Sequence, residues 1–144
     1  MSIWALAIRL LGKGTQLTAC FKEFAVKYML LVYIDENCWK PGEQQACYEE
    51  STALTHDLHA KRQYLGASPL HPVATATSVR VREGKRLVSD GPFAETHEQL
   101  GGFYLVDVPD LDQAIAIAAR IPGARKGTVE IRPVLEIPNL PHTD

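Results

Sequence analysis

A chain of 144 residues, 46% hydrophobic and 22% charged, holds enough apolar material for one core without disulfide or metal staples, and its overall composition is that of a globule, well away from that of disordered chains. The formal charge of −2 lacks the basic excess of nucleic-acid-binding domains, so no nucleic-acid partner is expected. No apolar run approaches the ~18 residues of a membrane span, so no membrane partner is expected either.

Residues 1–25 differ from the rest and read as an N-terminal extension. Gly12-Lys13-Gly14-Thr15 has the look of a phosphate loop, but that motif needs a glycine where Ala7 stands. Leu17-Thr18-Ala19-Cys20 resembles a lipoprotein cleavage box, yet Arg9 and Lys13 interrupt the apolar stretch before it. Three cysteines, Cys20, Cys38 and Cys47, are odd in number and lack metal-ligand spacing. Reduced thiols in a cytoplasmic protein are therefore expected. Valine codons include GUG, a bacterial start codon, so Val26 is a candidate for the true first residue. The compact domain is placed at residues 26–138, with a tail at 139–144.

Tyr28-Met29-Leu30-Leu31-Val32-Tyr33-Ile34 is a continuous apolar run, which predicts a strand covered on both faces. Glu43 to about Leu65 predicts a helix, because Cys47, Leu54, Leu58 and Leu65 fall within about 20° of one face. Gly66-Ala67-Ser68-Pro69 should end it. Thr75, Thr77, Val79 and Val81 alternate with Ala76, Ser78, Arg80 and Arg82, the pattern of a half-exposed strand. Glu83-Gly84-Lys85 marks a turn, and Arg86-Leu87-Val88-Ser89 returns from it.

Phe103–Val108 reads as a third main strand. Asp110 and Gln113 predict a helix start, with Leu111, Ala114, Ile115 and Ala118 inward and Pro122-Gly123 as the stop. Val129, Ile131, Pro133, Leu135 and Ile137 alternate with polar residues, and Pro133 suits an edge. The order β-α-β-(β-hairpin)-β-α-β predicts an α+β, ferredoxin-like split βαβ fold with an inserted hairpin. Two helices cover one face of a four-stranded sheet. The second apolar face predicts a homodimer, sheet against sheet.

The most specific stretch is Asp90-Gly91-Pro92-Phe93, continuing through Glu95 and His97 to Gly101-Gly102-Phe103. With Lys27–Leu31, Thr75–Val81, Tyr104–Leu111 and Gly127–Val134 in that order, the chain resembles the YCII-related or DGPF-domain family of the dimeric α+β barrel superfamily. The resemblance implies a dimeric α+β barrel and a start near Val26. Smaller relatives carry a His–Asp pair proposed as catalytic, early in the first helix. The matching position falls near Ser51, so that pair does not carry over. A dehalogenating lactone enzyme is similar to those relatives, whereas DGPF domains beside sigma factors imply a regulatory role.

Two classes of function follow. In the first, the chain is a small cofactor-independent lyase, isomerase or dehalogenase acting on an anionic small metabolite in the dimer cleft. Asp90 would be the base, tuned by Glu95 and His97, because a carboxylate works as a base near neutral pH only when its surroundings raise its pKa. Arg80 and Arg82, on one face of their strand, would grip the anion, and Tyr33 would hydrogen-bond it. In the second, the same cleft binds a small ligand without chemistry, as a regulatory module. Asp90 also suits a turn-capping role. His56 and His59 have a metal-compatible i,i+3 spacing but fall opposite the apolar helix face. No metal and no cofactor are expected.

Overall fold

A computed structural model describes residues 25–141. The N-terminal extension, with its Gly12–Thr15 and Leu17–Cys20 stretches, lies outside them. Six strands, two α-helices and two short 3₁₀ turns follow in chain order: β1 (Val26–Ile34), α1 (Glu43–Ala60), β2 (Tyr64–Pro69), a 3₁₀ turn (Val73–Thr75), β3 (Thr77–Arg82), β4 (Lys85–Asp90), β5 (Gln99–Val108), α2 (Leu111–Arg120), a second 3₁₀ turn (Pro122–Arg125) and β6 (Thr128–Pro133). The strands form a four-stranded antiparallel sheet in the order β2-β5-β1-β6 and a separate two-stranded sheet, β3-β4. This is the ferredoxin-like α+β arrangement with a hairpin inserted between β2 and β5. Among the described residues the sheet stays open, with β2 and β6 as edges, and no barrel is closed.

The strand order corrects an expectation. The second main strand is Tyr64–Pro69, and Thr77–Arg82 pairs only within the hairpin. Helix α1 stops at Ala60 because Arg62 turns to φ 58° and the Gln63 N–H bonds back to the Leu58 carbonyl at 2.9 Å. That reversal sends Tyr64 onward as a strand beside β5. Leu65, expected on the helix face, is instead 46% exposed on β2.

Helix α2 starts as read: the Asp110 Oδ1 accepts from the Gln113 N–H at 2.9 Å. Its buried stripe is Ala114, Ile117 and Ala118, leading to Ile121. Leu111 and Ile115 flank that stripe half-exposed, against expectation, because the helix is turned so that Ile117 points inward. Strand β6 ends at Pro133 on the sheet edge, and Leu135 and Ile137 lie beyond it and exposed.

The core sits between the helices and one face of the sheet. Tyr28, Leu30, Val32, Tyr104, Val106 and Val108 meet Leu54 and Leu58 of α1 and the buried face of α2. The strict alternation along β1 leaves Met29, Leu31 and Tyr33 on the other face, half-buried. In the single chain, β1 is therefore covered on one side only.

A candidate ligand cleft beneath the first helix

The inward stripe of α1 runs through Cys47, Ser51, Leu54 and Leu58, one helical turn apart at each step. Its lower half holds leucines that fill the space to the sheet, and Leu58 is fully buried. Its upper half holds only a thiol and a hydroxyl. Below them β5 presents Gly101 and Gly102, which bring no side chains. Small residues on both sides leave a cleft of about 600 Å³ between α1, β2 and the sheet, within the ~300–1,000 Å³ range of small-molecule sites.

Val32, Ile34 and Tyr104 form its floor, and Gln44, Cys47, Tyr48 and Ser51 one wall. Tyr64, Ala67 and Pro69 make the opposite wall, with Trp39 and Pro72 on the rim. Cys47, Ser51 and Tyr104 bring polar groups to the lining. Burial pushes the Tyr104 phenol and the Cys47 thiol above their ordinary pKa values, and hydrogen bonding to the Ser51 side chain partly offsets both shifts. Each acid therefore keeps its proton at neutral pH. At Cys47 and Tyr104 the cleft offers neutral donors and acceptors, and no nucleophilic thiolate.

Two ion pairs fix the start of α1 to the second 3₁₀ turn and the residue after it. The Lys126 ammonium donates to Glu43 at 2.5 Å and to the Cys38 carbonyl at 3.2 Å, and lies 5.5 Å from the centre of the Trp39 ring. Arg125 pairs with Glu50 at 2.8 Å. Trp39, a rim residue of the cleft, is held from behind by this clamp. Lys126, with the Lys40 amide, also keeps the Glu43 carboxyl below its usual range.

The residues expected to act in catalysis lie elsewhere. Asp90 is the last residue of β4, and Glu95 and His97 follow in the loop to β5; all three are exposed. Arg80 and Arg82 are exposed on β3. Register separates them: Asp90 opposes Thr77 and shares the ribbon face of Val79 and Val81, whereas Arg80 and Arg82 alternate onto the other face. Within one chain the ribbon therefore does not aim the carboxylate and the guanidiniums at one point. Tyr33 stands on the sheet face opposite the cleft. Of these six residues, only Arg80 and Arg82 share a face of one element.

The Asp90 turn is not held by its carboxylate, contrary to the capping expectation. Gly91 takes φ 90°, its N–H donates to the Ala76 carbonyl at 2.7 Å, and the Ser78 hydroxyl donates to the Gly91 carbonyl at 2.9 Å. On α1, Asp57 is paired with Lys61 (2.8 Å) and Arg120 (2.7 Å). His59 meets the Tyr64 ring edge-on at 6.3 Å. Among the described residues no cluster of three metal-ligating side chains occurs.

Sequence reasoning placed Ser51 at the position of the relatives' helix histidine, and the structure points that position into the cleft. It did not identify the cleft. The signal available was the change along one helix stripe from Cys47 and Ser51 to Leu54 and Leu58.

A ferredoxin-like α+β domain with a hairpin between its second and third sheet strands is thus defined by topology, with a cleft beneath α1. The model of the YCII-related domain matches residues 26–138, and the chain belongs to that family. It is also similar to an uncharacterised protein of Rhizobium meliloti strain 1021, at 39% identity over 116 residues, which cover 74% of this chain and 90% of that protein.

Proposed function

We propose that the protein binds a small molecule in the α1–sheet cleft and works as a homodimer. The observation that carries this reading is the cleft itself: about 600 Å³, with Trp39, Tyr48 and Tyr64 and the polar groups of Cys47, Ser51 and Tyr104 on its lining. An apolar concavity with a few convergent polar groups is the usual form of a small-molecule site. The dimer is supported by the hairpin and by the half-buried second face of the sheet. Val79, Val81, Leu87 and Val88 are each more than half exposed and Phe93 is 80% exposed. A two-stranded ribbon of that composition is marginal unless something packs on it.

The reading as a lyase, isomerase or dehalogenase acting on an anionic metabolite needs the second copy. Asp90 lies in water within one chain, and the arginines lie on the other ribbon face. A partner would have to desolvate the carboxylate and bring a second chain's Arg80 or Arg82 to it. Burial of that kind is what raises a carboxylate into the range of a general base.

Thermal shift with a panel of small ring compounds separates the readings. Stabilisation that survives Asp90→Asn but is lost in Ala67→Phe, which fills the cleft from β2, supports the cleft. Stabilisation lost in Asp90→Asn and kept in Ala67→Phe moves the site to the hairpin and favours chemistry there. For the dimer, light scattering at micromolar concentration should give twice the chain mass, and Val79→Lys with Val81→Lys should halve it. A monomeric wild type would remove the dimer from the proposal.

A further inference from the structure

The lining of the cleft carries a charge pattern that narrows its ligand. Among the described residues, no lysine, arginine or histidine lines it. Two basic groups on the Trp39 side of the rim are committed, Lys126 to Glu43 and Arg125 to Glu50. The one carboxylate on the lining, Glu36, accepts the Val73 N–H at 2.8 Å through its Oε1. That bond ties the carboxylate to the rim and places negative charge at the entrance. An anion entering would give up its hydration with no counter-charge to replace it, past a group that repels it.

The interior offers something else. Trp39, Tyr48 and Tyr64 bring aromatic rings to the lining, a residue type suited to packing against a ring. The Ser51 hydroxyl, the Cys47 thiol and the Tyr104 phenol line the cleft together. A hydroxyl and a phenol can each donate or accept, so the cluster adapts to either polarity of a neutral group. Tyr104 is 7% exposed, deep enough that a polar partner counts for more there than in water.

We infer that the cleft's ligand is an uncharged ring compound bearing a hydroxyl or carbonyl group, bound with that group toward Ser51 and Tyr104 and its ring between Trp39, Tyr48 and Tyr64. This rests on the reading of the α1–sheet cleft as the ligand site. It replaces the anionic metabolite implied by the arginines of β3 with a neutral ligand, and it gives the Ser51 position a binding role without a histidine. The Cys47 thiol serves as a polar wall.

The test uses three naphthalene probes of one shape and different charge: 2-naphthol, 2-naphthoate and 2-naphthylmethylammonium, titrated into the full-length protein at pH 7 by calorimetry. The naphthol should bind at least about tenfold more tightly than either ion. Tyr104→Phe and Ser51→Ala, which keep the packing and delete one hydroxyl each, should weaken it about fivefold or more, the scale of one hydrogen bond. Ala67→Phe should abolish binding of all three. If an ion binds as tightly as the naphthol and Ala67→Phe abolishes its binding, the neutral-ligand inference falls and the cleft reading stands. If binding is unchanged by Ala67→Phe, the cleft reading falls and the inference with it. If none of the three binds at millimolar concentration to protein that melts cooperatively, the inferred ligand class is wrong. Unchanged naphthol affinity in the Ser51→Ala, Tyr104→Phe double variant removes the polar anchor and overturns the inference in the same way.

Discussion

The body and the hairpin of this molecule follow opposite rules. In the body, side chains meet across long sequence distances: Leu30, Val106 and Val108 are fully buried against α1 and α2, and Arg120 of α2 reaches Asp57 of α1 at 2.7 Å. In the hairpin, every residue of β4 is exposed, and the valines of β3 more than half so. The hairpin nevertheless carries the most conspicuous motif of the sequence, and the body carries the cleft, which no motif marks. A turn must be written in particular residues, because backbone conformations such as φ 90° at Gly91 admit few side chains. A cleft arises wherever small residues replace large ones. Motif strength in this chain therefore tracks backbone geometry more closely than site chemistry.

The contrast is broken or sharpened first by its glycines and leucines. At Gly127 a Cβ would overlap the Tyr33 carbonyl oxygen and press on the Ile34 Cα at 3.0 Å, so Gly127→Ala must push β6 away from β1. A loss of about 4 kcal/mol or more is expected in urea unfolding, among the largest single-residue effects. Leu58→Ala, at a fully buried position, should cost about 2–5 kcal/mol. Leu87→Ala, the same change on the 51%-exposed hairpin leucine, should cost under about 0.5 kcal/mol at concentrations where the protein is monomeric. Comparable losses at Leu58 and Leu87 under those conditions would refute the division into body and hairpin.

The next effect belongs to the turn. A Cβ on Gly91 meets open space, but the residue's φ of 90° is one that L-residues rarely adopt. Gly91→Ala should cost about 1–2 kcal/mol through backbone strain alone. Ser78→Ala, which deletes the hydroxyl bonded to the Gly91 carbonyl, should cost about 1 kcal/mol. Both changes should also loosen the loop that carries Glu95 and His97, seen as faster amide exchange across residues 91–98.

A smaller effect separates the regions by pH. Lys61 and Arg120 hold the Asp57 carboxyl below its usual range. A lowered folded-state pKa means stabilisation that is present above the ordinary carboxylate value of ~3.9 and lost as pH falls through the folded value. Asp57→Asn should therefore lower the melting temperature slightly at pH 7, with the curves of variant and wild type converging below about pH 3. All three side chains are at least one-third exposed, so the difference should shrink in 1 M salt. A gap that persisted at low pH would assign Asp57 a packing role.

How much of this was legible in the sequence follows from the same physics. The apolar runs Tyr28–Ile34 and Phe103–Val108 and the Asp110–Gln113 cap gave β1, β5 and the start of α2, because those signals are local. The end of α1 was misplaced, because a left-handed Arg62 has no compositional mark and Leu65 happened to fall on the helix stripe. Tyr64–Pro69 was hidden for the same reason. A strand containing glycine, serine and proline is held by its pairing with β5, which only the folded chain supplies. Arg80, Arg82 and Asp90 were assigned to one site in the dimer cleft, the arginines for sharing a strand face and Asp90 for its place at the cleft mouth. The register Thr77–Asp90 puts the carboxylate and the guanidiniums on opposite ribbon faces, and register is fixed by the turn and by packing, not by proximity along the chain.

The smallest expected effect is at Asp90 itself. Its carboxylate has no partner among the described residues, the turn is held by Gly91, Ala76 and Ser78, and the side chain is exposed. Asp90→Asn keeps its shape and removes its charge, so unfolding of the monomer should change by less than about 0.5 kcal/mol. This near-zero value is informative because the same variant can be measured in the dimer. Val79, Val88 and Asp90 share a ribbon face, so a partner that covers the valines must also take the carboxylate from water. An unpaired buried carboxylate costs several kcal/mol, and its neutral amide far less. If the second copy leaves Asp90 unpaired, Asp90→Asn should tighten the dimer. If the second copy brings an arginine to it, the same change should weaken the dimer several-fold, and the site on the hairpin would then be built from two chains.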